Sequence, residues 1–183
     1  MLTALAAWAI LLARRLRIAF AFALAAVIAG GLIGHPAAIE PVIAIPMKSL
    51  HLVGVAFWLG GLISLATSDS STSDTAVHAS TVSSVATIAI IIVGLTGVVQ
   101  AFLFLSSWTE IFSSAYGLTL VAKTAGLLLL AAFGAYHRYS LLPRLDASSA
   151  GDLRRSVKRE IILMICVVMI GGFLAYVPTP HMT

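Results

Sequence analysis

Long apolar runs separated by short polar segments dominate the chain, and most of these runs have a similar length. A helix rises about 1.5 Å per residue, so about 20 apolar residues cross a bilayer core of about 30 Å. The pattern predicts an all-α, polytopic membrane bundle of about five transmembrane helices, folded as one domain over 1–183. The predicted spans are 18–34, 46–66, 82–105, 116–136 and 161–177.

The apolar segment at the N-terminus leaves several alternatives open. Residues 3–13 are too short to cross a bilayer upright, and Arg14, Arg15 and Arg17 follow them. The segment is a short or tilted span, the tail of a helix shared with sequence further upstream, or the first part of one long helix that continues into 18–34. Positive charge after the apolar stretch is the reverse of a secretory signal, so we expect no cleaved signal peptide.

The polar segments predict the connections between spans. Prolines indicate a short loop at 35–45, and Ser, Thr and Asp residues indicate a polar loop at 67–81. A further loop is expected at 106–115. Residues 137–160 are rich in arginine and are expected to form a polar loop, with a candidate amphipathic helix at 149–159.

Composition and charge exclude several classes of protein. The chain is 60% hydrophobic and 10% charged, with a mean hydropathy of +1.06, which excludes an ordinary soluble domain. A net charge of +4 comes from basic clusters that flank apolar runs, so it indicates membrane topology and no nucleic-acid partner. The single cysteine excludes an internal disulfide bond.

The distribution of basic residues predicts the orientation. If 14–17 is cytoplasmic, alternation of spans places 67–81 and 137–159 on the same side, which gathers nine of the eleven Lys and Arg residues there. We therefore expect a multi-pass protein of the bacterial cytoplasmic (inner) membrane with a periplasmic C-terminus. His78 and His137 fall on the cytoplasmic side and are expected to be solvated.

Histidine and methionine residues near the outer side are candidate metal ligands. Met47 and His51 are four residues apart, so they share one face of a helix, and both suit a soft or borderline metal. His35, His181 and Met182 fall on the same outer side in the predicted topology. An imidazole within a membrane helix is costly and tends to face the protein interior. The alternatives are a structural hydrogen bond for His51 and ordinary packing for Met47.

Other residues are candidates for supporting roles. Gly54, Trp58 and Gly61 continue the stripe of Met47 and His51, with the glycines allowing close helix approach and Trp58 serving in packing or as a cavity wall. Lys123 lies inside a span, where it extends to the surface, pairs with a group such as Gln100, or repels a cation. Cys166 and Met169 are either a deeper copper position or ordinary buried side chains.

Several short motifs together resemble the copper resistance protein D (CopD) family of bacterial inner-membrane copper transporters. They are GH at 34–35, H-x6-W-L-G-G at 51–61, Y-G-x5-K at 116–123, H-R-x4-P-R at 137–144 and R-x-S-V-x2-E at 154–160. The resemblance implies copper uptake or transfer from the periplasmic side, alongside a small periplasmic copper-binding protein. The matching histidines are His35 and His51, with Trp58, Gly60 and Gly61 in the same motif.

The sequence departs from the family pattern in two respects. His137 stands with Arg138 where the family is expected to have Asn-Arg, which puts any special role there in doubt. Longer members carry additional upstream spans or a fused copper-binding domain, so a partner is expected to supply what these provide.

We therefore expect a copper transport protein, not an enzyme, with Cu(I) or Cu(II) bound near the periplasmic face. No phosphate-binding loop is found in the sequence, so transport is expected to be passive or coupled to another gradient. Expected partners are the lipid bilayer, the periplasmic copper-binding protein and further copies of the chain. Two alternatives remain: a haem-binding membrane oxidoreductase with His35 and His51 as axial ligands, and a membrane factor that delivers copper to another protein.

Overall fold

The structure is a computed structural model that describes residues 2–33, 40–68, 72–144, 150–174 and 176–177. These residues form helices and contain no strand, which confirms the all-α prediction. The helices are α1 (Leu2–Ala29), α2 (Pro41–Thr67), α3 (Thr72–Phe104), α4 (Glu110–Ser113), α5 (Ala115–Tyr136) and α6 (Ala150–Leu174). A π-helical turn, His137–Leu141, extends α5.

Helix α1 is continuous through the three arginines, so the alternative of one long N-terminal helix is confirmed. The membrane-length apolar segment Arg14–Leu32 consists of the second half of α1 and the 3-10 turn that follows it, Gly30–Leu32. Most side chains of this part are exposed to the surroundings of the chain. An apolar helix with an exposed surface is suited to lipid or to a neighbouring protein.

Helix α2 begins at Pro41, five residues before the predicted start. The prediction of a loop is therefore wrong for residues 41–45, which are helical. Pro41 occupies the first helical position, where a missing N–H costs nothing because that group has no partner within the helix. The Glu40 carbonyl accepts from the Ala44 N–H at 2.8 Å and closes the first turn. Pro46 then lies inside the helix, which loses one backbone hydrogen bond but continues.

Helix α3 begins at Thr72, so the polar loop predicted over 67–81 is also mostly wrong. Hydroxyl side chains in this region bond back to the carbonyl four residues earlier, as Thr81 does to Val77 and Ser84 does to Ser80. Such bonds keep polar side chains compatible with a helix. The buried positions of α3 recur every three or four residues, at Thr75, Ala79, Val82, Ala86, Ala89, Val93 and Thr96.

Four helices run antiparallel to their neighbours along the chain, as two buried clusters show. The start of α2 and the end of α3 meet the start of α5 and the end of α6 in one cluster, which we call the Phe104 cluster: Ala44, Phe104, Tyr116, Leu174 and Val177. A larger cluster around Trp58 and Leu130 fills the rest of the bundle. The predicted orientation of the protein in the membrane requires successive spans to alternate in direction in this way.

Four helices of the described chain are long and apolar enough to cross a membrane: Arg14–Leu32, Pro41–Thr67, Thr75–Phe104 and Ala115–Leu141. Helix α6 is different because its first half carries charge and its second half is apolar. The predicted amphipathic helix at 149–159 and the predicted last span are thus parts of one continuous helix. The expected loop at 137–160 is correspondingly shorter.

Candidate metal site and a second polar cluster

His51 lies on the face of α2 that packs against α3, and 6% of its surface is exposed. Its Nδ1 is 3.0 Å from the Thr96 hydroxyl oxygen. That hydroxyl donates to the Ile92 carbonyl at 2.7 Å, so its oxygen accepts from His51. The Nδ1 atom therefore carries the proton, which leaves the Nε2 lone pair as the atom that can bind a metal.

The position of His51 along α2 follows from the observed start of that helix. Ten residues separate His51 from Pro41, which is about 15 Å along the axis, compared with about 8 Å for the start predicted at Pro46. Gly97 of α3 leaves space beside the imidazole, because a Cβ there would lie 4.0 Å from His51 Cε1. The ring is therefore held in the bundle between two helices.

One lysine interacts electrostatically with His51, and a second lysine interacts with the first. Lys123 of α5 interacts electrostatically with the imidazole, and Lys48 of α2 interacts with Lys123. The Lys123 ammonium packs against α6, where a Cβ on Gly171 would lie 3.4 Å from Nζ. Lys48 donates to the Ile33 carbonyl. A cation at His51 would be opposed by Lys123 whenever that amine is protonated.

The predicted stripe on α2 is one face of the helix in the structure. His51, Gly54 and Trp58 are buried, and Met47 and Gly61 are half-buried. A Cβ at Gly54 would come within 3.1 Å of Val93, so the glycine permits the close approach of α3. Gly60 is exposed, and a Cβ there would meet nothing within 4 Å.

The remaining predicted residues are dispersed. Gln100 donates to the Thr96 carbonyl of its own helix at 3.1 Å. Cys166 and Met169 are both exposed on α6, on the outside of the bundle. His35, His181 and Met182 lie outside the described residues.

A second polar cluster, which sequence reasoning missed, lies next to Trp58 in the core. We call it the Glu160 cluster; its members are Trp58, His137, Ser156 and Glu160. The Trp58 indole donates to Glu160 Oε1 at 3.3 Å, and His137 Nδ1 is 3.0 Å from Glu160 Oε2. His137 Nε2 is 2.7 Å from the Ser156 hydroxyl.

The expectation that His137 is solvated is therefore wrong. Only 7% of its surface is exposed, because the π-helical turn that extends α5 turns it toward α6. Its motif and the motif ending in Glu160 were visible in the sequence. The imidazole of one motif and the carboxylate of the other were the signal for a polar pair, but the arginines around them suggested a solvated loop.

A cavity of about 330 Å³ adjoins the Glu160 cluster. It lies between the end of α2, the start of α3, the end of α5 and the start of α6. His137, Arg138 and Glu160 line it together with apolar side chains. Arg138 donates to the Ser83 and Thr87 hydroxyls of α3, each at 3.4 Å.

The described residues do not form a complete metal site by themselves. Nowhere in the described ranges do three or more His, Cys, Asp or Glu side chains come together to hold a metal ion. His51 can supply one nitrogen ligand, and Met47 a thioether one turn away on the same face.

The hydrogen bond between Thr96 and His51 predicts the effect of a conservative change. In Thr96→Val the shape of the side chain is kept but the acceptor for His51 Nδ1 is lost. We expect copper affinity of the purified protein to fall about tenfold, since hydrogen bonds that orient a ligand are typically worth about 10–100-fold. Titration with a competing copper chelator measures this.

Thr124→Val is the matched control for Thr96→Val, because the Thr124 hydroxyl bonds only to the Leu120 carbonyl of its own helix in the described part of the chain. This control should retain the original affinity. Equal affinities for both variants would contradict the assignment of Thr96 as the residue that orients His51.

Comparisons with known proteins give two matches. The family model described as copper resistance protein D matches residues 79–174, just over half of the chain. This range includes His137, Ser156, Glu160 and Thr96 but not His51 or Trp58.

Among curated proteins, the chain is 26% identical over 154 residues to the copper transport protein CutJ of Bacillus subtilis. The match covers 80% of this chain and 28% of the relative, so the chain spans less than a third of that protein. No solved structure gives a significant match.

Proposed function

This chain belongs to the copper resistance protein D family, and from that premise we propose that it carries copper ions across the bacterial cytoplasmic membrane. A copper-related membrane function is supported by the family and by the four membrane-length helices. Transport is the more specific part of the proposal, and it is supported by the similarity to the copper transport protein of Bacillus subtilis.

The orientation of His51 is the observation that carries the proposal. Its Nδ1 proton is used by Thr96, and Nε2 is left with a lone pair inside a membrane-length bundle. Placing an imidazole in the interior of a membrane bundle costs free energy, and residues of this kind usually have a functional role. Copper accepts imidazole nitrogen, and a thioether such as Met47 favours Cu(I) over Cu(II).

His35, His181 and Met182 remain the candidate additional ligands at the outer end of the site. A periplasmic copper-binding protein is the candidate donor, and the periplasm is the proposed side of entry. Cys166 and Met169 remain candidates for a later position on the path, although copper would have to reach them on the outer surface of α6.

Positive charge near His51 suits transit better than storage. When protonated, Lys123 would raise the free energy of a copper ion at His51 through Coulomb repulsion. An ion that is bound by few ligands and opposed by a charge leaves readily, which conduction requires. We propose that Lys123 keeps copper from being trapped at His51.

Uptake by sealed vesicles tests the proposal. The full chain, reconstituted in vesicles that contain a copper chelator, should accumulate Cu(I) faster than protein-free vesicles. Vesicles with protein that bind copper but accumulate none would contradict transport and favour a factor that delivers copper to another protein, whose ligands would be the same.

The haem alternative requires a second histidine level with His51. The other histidines of the described ranges lie at different levels of the bundle. His78 bonds to Ser64, which is about 20 Å from His51 along α2. His137 contacts Glu160, the partner of Trp58, and Trp58 is about 10 Å from His51 along the same helix. His35, the other candidate axial ligand, lies outside the described residues. A Soret band in the spectrum of the purified protein would favour haem over copper alone.

A further inference from the structure

The Glu160 cluster is a second buried site for which the copper position provides no role. Glu160 is 1% exposed, and a carboxyl group in that environment has lost nearly all its water. Acidic and imidazole side chains within membrane bundles commonly mark the pathways of ions and protons. The local geometry indicates which of these the cluster would bind.

The two oxygens of Glu160 have different surroundings. Oε1 accepts from Trp58 Nε1, and an indole can only donate, so this oxygen stays an acceptor. Oε2 is 3.0 Å from His137 Nδ1, close enough for an ion pair, but the contact is not aligned as a hydrogen bond. Among the described residues, Oε2 is therefore a buried oxygen with a lone pair still available.

The other side of the imidazole can accommodate a change of charge. His137 Nε2 is 2.7 Å from the Ser156 hydroxyl, which can either donate or accept. When Nε2 has a lone pair the hydroxyl donates to it, and when Nε2 carries a proton the hydroxyl accepts. The hydroxyl needs only to rotate, so no backbone has to move.

The cavity next to the cluster extends toward the end of the bundle where α2 ends and α6 begins, with Leu65, Ala79 and Leu153 among its lining residues. The charged and titratable groups that line it come from the end of α5 and from α6: His137, Arg138, Tyr139 and Glu160. The facing parts of α2 and α3 contribute apolar side chains and the Ser83 and Thr87 hydroxyls. Metal chemistry is poorly served here, because one carboxylate and one imidazole make too few ligands.

From this geometry we propose that Glu160 and His137 form a proton-binding site whose loading is coupled to copper at His51. Binding one proton changes the pair from a carboxylate with a neutral imidazole, net charge −1, to a pair of net charge zero. The proton is held at Oε2 or on the ring, and it enters from the cavity. Arg138 lines the same cavity and offsets the charge of the unprotonated pair.

Helix α2 provides the connection between the two sites. His51 and Trp58 are seven residues apart on one buried face, about 10 Å along the axis. A shift of α2 that brings the Trp58 indole closer to Glu160 Oε1 when copper binds would strengthen this hydrogen bond to the carboxylate, and so lower the affinity of the pair for a proton. This coupling rests on the proposed function, since it takes His51 as the copper position.

Proton release on copper binding tests the inference without requiring transport. Copper is added to the detergent-purified full chain in unbuffered solution, and the protons released per copper bound are measured with a pH indicator. Wild type should release close to one proton per copper, and Glu160→Gln should release less than a tenth of that while binding the same amount of copper. Asp152→Asn, which removes an exposed carboxylate of the same helix, should behave as wild type.

Each other outcome has a definite meaning. Equal proton release by wild type and Glu160→Gln would overturn the proton site. Loss of one bound copper in Glu160→Gln would also overturn it, by making the cluster a second copper site. If the Glu160→Gln protein cannot be produced in folded form, His137→Gln, which removes the imidazole, replaces it. The same results would then support or overturn the proton site.

Vesicle experiments separate the two proposals. Failure of wild type to accumulate copper would overturn transport, whereas proton release on copper binding would still decide the proton site. If copper is accumulated, a pH gradient alone should drive its uptake in wild type and in Asp152→Asn but not in Glu160→Gln. Uptake that ignores the pH gradient in all three would overturn the coupling and leave transport standing.

Discussion

The His51→Ala variant is expected to bind copper more than about 100-fold more weakly than the wild-type protein. Loss of a hydrogen bond to a ligand costs about 10–100-fold, and loss of the ligand itself should exceed that range. The imidazole is buried between α2 and α3, and its Nε2 is the only ring atom that its bond to Thr96 leaves for a metal. Competition with a chelator measures affinity, and vesicle uptake should fall in parallel.

The matched control for His51→Ala is His78→Ala. His78 is a histidine of the neighbouring helix α3, and it bonds to Ser64 near the other end of α2. Copper affinity and uptake should be unchanged in this control. Retention of wild-type affinity by His51→Ala would show that copper is bound elsewhere in the chain.

The second large effect is on stability. Trp58 is 1% exposed, and truncation of such a residue to alanine typically costs about 3–5 kcal/mol through the cavity that it leaves. The change also removes the donor to Glu160 Oε1 and leaves that buried oxygen without its partner. We expect Trp58→Ala to lower the thermal unfolding midpoint in detergent by roughly 10 °C.

The neighbouring residue Phe57 supplies the control for Trp58→Ala. Phe57 is 47% exposed and its ring meets Phe20 of α1 outside the buried core, so Phe57→Ala leaves the bundle core intact and should shift the midpoint by only a few degrees. Trp58→Phe keeps most of the ring but removes the N–H, so its shift isolates the contribution of the hydrogen bond. Equal shifts for Trp58→Ala and Phe57→Ala would contradict the observed packing.

Sequence pattern predicted the membrane class, the helical fold and the buried stripe on α2, because each depends on hydrophobicity and on a period of 3.6 residues. It failed at helix starts that depend on local chemistry. Pro41 was interpreted as a helix breaker, whereas it occupies the position where a proline starts a helix. Residues 72–81 were interpreted as part of a loop, although they are helical and the Thr81 hydroxyl bonds back to the Val77 carbonyl within the helix.

The Glu160 cluster could not be predicted from pattern because it depends on contacts between residues far apart in the chain. Trp58 and Glu160 are separated by 102 positions. Glu160 follows Lys158 and Arg159, which suggested a charged loop, but α6 turns those two outward and the carboxylate inward. The pairing of buried charges is a property of the fold, whereas charge density along the sequence indicates only where the chain meets water.

The Phe104 cluster lies above His51 at the end of the bundle that we propose to be periplasmic. There, Phe104 and Tyr116 meet edge to face with ring centroids 6.3 Å apart, and Ala44 and Leu174 pack around them. A hydrated ion cannot pass such a tightly packed apolar layer, so the proposed path is closed at this end of the bundle. Loading from outside would therefore require the helices to move apart at the Phe104 cluster.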